Sequence, residues 1–217
     1  MKHKTELMSE DQTLEFLNPE GEENEEDLEV SSRKSFDEAV IAAADWTAET
    51  ILSQLRQGHI LLNPHFQRRE AWTSARQSRF IESLFLGLPI PQLVLAESKK
   101  YRGKYIVIDG KQRLLSLLHF AESDTAKISP LKLNGLKIRA DLNNKTYSEI
   151  KADASLDADL ARFQNQTIRT VLLKNWPDEN YIYLVFLRLN TESVKLSPQE
   201  LRQALHPGKF VPSHPCS

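Results

Sequence analysis

Residues 107–117 read VIDGKQRLLSL. An apolar run stops at Asp109-Gly110, and a helical pattern begins at once with Lys111, Gln112 and Arg113. Leu114, Leu117, Leu118 and Ala121 then fall on one side of that helix, predicted over Lys111–Ala121. A strand that hands over directly to a helix raises two readings. Asp109 merely caps the helix while its neighbours are solvated, or the turn is a cradle for a phosphate.

Outward from this turn, Lys104–Asp109 reads as a strand, Lys99–Gly103 as a turn and Gln92–Glu97 as the preceding strand. Pro89-Ile90-Pro91 is an extended connector in which neither proline donates a backbone hydrogen bond. Ser74–Leu86 is the clearest amphipathic helix, with Ile81, Leu84, Phe85 and Leu88 at helical spacing and Gly87 as its stop. Residues 47–57 also carry a helical pattern, and Ile60–Leu62 reads as a short strand. Further on, Asn134-Gly135 inside Leu131–Ile138 predicts a hairpin. Asp157–Gln164 reads as a helix and Thr167–Leu173 as a strand. Tyr181–Leu187 is apolar throughout, so periodicity leaves strand and helix open there. Ser197-Pro198-Gln199-Glu200 opens a helix with a capping box. The sum is four to six short strands among four to six helices in one mixed body.

The chemistry of a phosphate cradle suits the turn. The first N–H groups of a helix lack partners within it and carry partial positive charge. Gly110 lets a ligand oxygen approach the backbone, Lys111 and Gln112 add a cation and an amide donor, and Arg113 can fork two bonds to phosphate oxygens. Asp109 stands where a carboxylate could hold Mg²⁺ or orient water. A second polar cluster is FQRREAW, Phe66–Trp72. There Arg68 and Arg69 either clamp an anion, or stay wet while Phe66 and Trp72 anchor the loop. Asn190 follows an apolar segment and could cap, turn or touch a ligand.

Charge is unevenly spread. Residues 1–38 carry 13 Asp/Glu against four Lys/Arg, whereas the remainder carries 17 acidic and 24 basic residues. An acidic arm, expected to be disordered with a weak helix near Phe36–Ala44, thus precedes a mildly basic body. Cys216 is the single cysteine, so no disulfide forms within the chain and no cysteine zinc site is available. The six histidines have no metal-ligand spacing. No apolar run is long enough to span a bilayer, which predicts a soluble cytoplasmic protein. Walker-type, dinucleotide-binding, zincin and serine-hydrolase motifs are absent from the sequence.

Four segments, FQRREAW, RFIESLFLGLPIPQLVL, YIVIDGKQRLLSLLHF and FLRLNTESVKLSPQELRQAL, occur in one order. In that order they resemble the N-terminal domain family of GmrSD-type restriction endonucleases, over roughly residues 46–207. The resemblance implies an α+β fold of the ParB/sulfiredoxin type, a small mixed sheet with flanking helices. With the acidic arm read from the charge pattern as 1–44, the resemblance implies a nucleotide-binding domain at 45–207, and 208–217 is left as a tail. The family's Asp-Gly-Gln-Gln-Arg motif, associated with nucleotide binding and hydrolysis, falls on Asp109, Gly110, Lys111, Gln112 and Arg113, with Lys111 in place of the usual glutamine. Asp109, Arg113 and Arg68 are then the expected catalytic residues, Gly110, Lys111, Gln112 and Asn190 the nucleotide-binding ones, and Asp109 the metal ligand. The expected cofactors are Mg²⁺ and a nucleoside triphosphate. The implied role is an NTP-hydrolysing regulatory module of a phage-defence restriction system. A non-catalytic DNA- or partner-binding module is the alternative. DNA, and a separate nuclease subunit or missing C-terminal region, are the further partners implied. The resemblance also favours a helix over Tyr181–Leu189, and nuclease activity by this chain alone is not expected.

Overall fold

The computed structural model describes residues 39–62, 72–121 and 130–189. Five strands, β1 (Val40–Thr47), β2 (Ile60–Leu61), β3 (Leu93–Glu97), β4 (Tyr105–Asp109) and β5 (Thr167–Lys174), form one mixed sheet in the order β1-β5-β3-β4-β2. The β1/β5 and β3/β4 pairs are antiparallel; β5/β3 and β4/β2 are parallel. Among the described residues the helices are α1 (Ala48–Arg56), α2 (Ser74–Phe85), α3 (Lys111–Ala121), α4 (Tyr147–Ala152), α5 (Asp157–Asn165) and α6 (Glu179–Leu189). The architecture is α+β, as expected.

The central strands β3 and β4 read as apolar runs up to their last residue because the sheet is covered on both faces there. Leu93, Leu95, Val107, Ile168 and Leu172 join the core built with α1 to α5. Their neighbours Val94, Ala96, Ile106, Ile108 and Leu173 join a second core with Tyr181, Ile182, Tyr183 and Phe186 of α6. Period-two alternation thus sorts each strand's residues between two cores. The open segment Tyr181–Leu187 is a helix because it covers the second face. The helix expected at Ser197 lies outside the described residues.

Two expectations are corrected. Val40–Ala44, assigned to the arm and to a weak helix, is the start of β1 and pairs with Lys174 through Thr170. Helix propensity in the alanines yields there to a sheet partner far away in sequence. The hairpin expected over Leu131–Ile138 does not form. Leu131, Leu133 and Leu136 are buried, but side chains satisfy much of the backbone. Ser78 Oγ accepts from Asn134 N–H, Asn143 Oδ1 accepts from Leu136 N–H, and Glu82 Oε1 accepts from Ile138 and Arg139 N–H groups at 3.2 and 2.8 Å. Glu82 is buried on α2. Glu82→Ala should therefore cost about 1–3 kcal/mol, since two N–H groups lose their acceptor. Glu82→Gln should cost less because it keeps an acceptor. Thermal unfolding checks this, and an alanine variant that melts with wild type would refute it.

Among the described residues no helix is long and apolar enough to cross a membrane.

Candidate functional site

Asp109 is the last residue of β4, and the ladder with β3 shifts register just there. Leu95 faces Val107 while Val94 faces Asp109, so β4 holds one extra residue. Such a bulge bends a strand and re-aims its end. Gly110 follows at φ +99, a conformation that side chains rarely adopt. A Cβ there would collide with Leu93 Cδ2 and stand 3.4 Å from Arg113 Nη2. The sequence suggested that this glycine admits a ligand. In the structure, its missing Cβ lets Leu93 and Arg113 close over the turn.

Arg113, only 9% exposed, folds back from the first turn of α3. Its Nη2 donates to Asp109 Oδ2 at 2.6 Å. Its Nη1 donates to Gln92 O at 3.0 Å and to Pro91 O. The extended Pro89–Pro91 connector brings those two carbonyls to the guanidinium just before β3 begins. The fork expected for phosphate thus grips protein oxygens, and it fixes the Asp109 carboxylate. The Asp109 side chain keeps 30% exposure. Among the described residues nothing donates a hydrogen bond to its Oδ1.

The helix start meets the physical requirement for an anion. Leu114 N–H is the first to bond back, to Gly110 O at 3.0 Å. Among the described residues no acceptor takes the backbone N–H groups of Gln112 and Arg113. Lys111 and Gln112 are partly exposed beside them.

Gln112 does something that its sequence did not announce. Its Oε1 accepts from Trp72 N–H at 3.1 Å. Gln77 Nε2 donates to Trp72 O at 3.3 Å, and the Trp72 ring packs edge-on against Phe80 with Arg76 above it. On the other side of residues 63–71, which lie outside the described residues, Leu61 of β2 pairs with Ile106 of β4. The residues that flank 63–71 therefore lie against β4 and α3, the two elements that meet at Asp109-Gly110. Arg68 itself lies outside the described residues, as does Asn190, which follows α6. Only a polar residue in the first turn of α3 hinted at the Gln112–Trp72 bond; the partner 40 residues upstream was not readable.

The family model of the GmrSD restriction endonuclease N-terminal domain matches residues 48–207. The chain belongs to this family. No curated protein matches it, and no solved structure does. As a GmrSD N-terminal domain it is a module of a restriction, phage-defence system. Among the described residues no three His, Cys, Asp or Glu side chains converge into a metal site. Asp109 with one open oxygen fits a Mg²⁺ that takes most of its ligands from phosphate and water, the usual habit of that ion.

Proposed function

We propose that this GmrSD N-terminal domain, with a ParB-like arrangement of its sheet and helices, binds a nucleoside triphosphate at the β4–α3 turn and hydrolyses it. Hydrolysis would govern DNA cleavage by a separate nuclease region or subunit. One juxtaposition carries the reading. The unaccepted N–H groups of Gln112 and Arg113 lie beside a carboxylate with an open Oδ1. The amides and the Lys111 charge hold phosphate oxygens. Asp109 Oδ1 takes a proton from water as the water oxygen bonds to the terminal phosphorus. The bridging P–O bond breaks, and nucleoside diphosphate and inorganic phosphate leave. In the alternative arrangement Asp109 Oδ1 would instead hold Mg²⁺, whose charge offsets that of the phosphates. Arg113 is a positioning residue, because it acts through Asp109. Arg68 would steady developing charge on the phosphate.

The bonds from Arg113 to protein oxygens favour a second reading, a nucleotide- or DNA-binding module without turnover. Phosphate release from ATP, GTP and CTP with Mg²⁺ separates the two. Asp109→Asn keeps an acceptor for Arg113 and is expected to slow release about a hundredfold or more. Arg68→Ala should also slow it. Equal rates in wild type and both variants would exclude turnover at this site, and calorimetric titration would then show whether nucleotide binding survives.

A further inference from the structure

The sheet has a second polar end, opposite the turn. β3 and β4 are joined there by Ser98–Lys104, which contains Lys99, Lys100, Arg102 and Lys104 and no acidic residue. The five residues of β4 place this hairpin ~16 Å from Asp109 at the usual rise per residue. β5 ends at the same side with Lys174, since Leu173 pairs with Ala96 of β3.

The tip is a built turn. Ser98 N–H donates to Lys104 O, Lys104 N–H to Tyr101 O, and Tyr101 N–H to Ser98 Oγ. Gly103 takes φ +78 in open space. The nearby acids are engaged in structure. Glu97 Oε1 accepts from Gly103 N–H, and Asp178 Oδ1 accepts from Tyr181 N–H at the start of α6. Lys99 lies over the Trp176 ring and donates to Pro177 O. Tyr101 stands 43% exposed at the tip, with its ring open to a stacking partner. The ammonium groups of Lys100 and Lys104 lie 5.2 and 5.5 Å from its centroid.

An exposed ring among cations is the chemistry that holds a single strand: phosphates meet the ammonium and guanidinium groups, and a base stacks on the ring. An acidic peptide would use the cations but leave the ring unused. We propose that the β3–β4 hairpin binds single-stranded nucleic acid through Lys100, Arg102 and Lys104, with an unpaired base on Tyr101. The long lysine stems swing aside as the base arrives, because cation–π contacts at exposed sites are weak. This surface is independent of the Asp109 site.

The test is fluorescence anisotropy with the full chain and a labelled thymidine-rich 12-mer, across a salt titration. Wild type should bind at low salt. The triple change Lys100→Ala, Arg102→Ala and Lys104→Ala should make the slope of log K against log salt shallower by about 2, at roughly 0.7 per phosphate contact on a single strand. Tyr101→Ala should weaken binding about 5- to 150-fold with the slope unchanged. Asp109→Asn should bind as wild type does. Lys100, Tyr101 and Arg102 are exposed and Lys104 is partly exposed, and none belongs to a core cluster, so each variant should melt with wild type. Absence of binding by wild type overturns the proposal. So does a triple variant with the wild-type slope, a Tyr101→Ala variant with undiminished affinity, or a duplex that binds as tightly as the single strand.

Discussion

Gly110→Ala should lose about 2–5 kcal/mol of stability, the larger part from a collision rather than from backbone strain. The φ of +99 is one that an L side chain enters at a cost of about 1–2 kcal/mol. The new methyl would also meet Leu93 Cδ2, a side chain 1% exposed between β3 and the core. Overpacking of that kind adds about 1–3 kcal/mol. Gly87 supplies an internal control. It too has positive φ, +69, but a Cβ there meets only Gln166 Oε1 at 3.7 Å. Gly87→Ala should therefore show the backbone cost alone. Urea unfolding of both variants measures the difference, and equal losses would show that Leu93 yields easily and the turn is looser than described.

Arg113→Met is the second large effect, expected at about 2–4 kcal/mol. The change leaves the carbonyls of Pro91 and Gln92 and the Asp109 carboxylate without their shared donor. The part-exposed Asp109 keeps the figure below that of a fully buried pair. Arg113→Lys should restore little, because a single ammonium cannot span three oxygens that a planar fork reaches. Equilibrium unfolding reads the cost. A methionine variant as stable as wild type would mean that the guanidinium network adds nothing net. Because this residue holds the turn together, an inactive Arg113 variant says little about phosphate contact, which is why Asp109→Asn is the sharper probe of turnover.

The strand–turn–helix was legible because every signal there is local. Hydrophobic runs, Asp-Gly punctuation and a 3.6-residue period all fall within fifteen residues. The destination of Arg113 was not legible. It depends on carbonyls 21 and 22 residues upstream, and a sequence says nothing of which oxygen a guanidinium will meet. The hairpin misread at Leu131–Ile138 has the same cause. Alternating leucines encode which side is buried, while the partners of the intervening backbone sit on Ser78, Glu82 and Asn143. β1 was misread because its identity as a strand comes from β5.

That last pairing also bears on how the chain is made. Thr47 faces Thr167 across ~120 residues of sequence. At the usual pace of translation, about 5–20 residues per second, the ribosome needs roughly 6–24 seconds to deliver the mate of the first strand. Throughout that interval Val40–Thr47 emerges with its ladder empty. Nascent molecules on crowded polysomes would then be most exposed to edge-to-edge mispairing in the window before β5 leaves the exit tunnel.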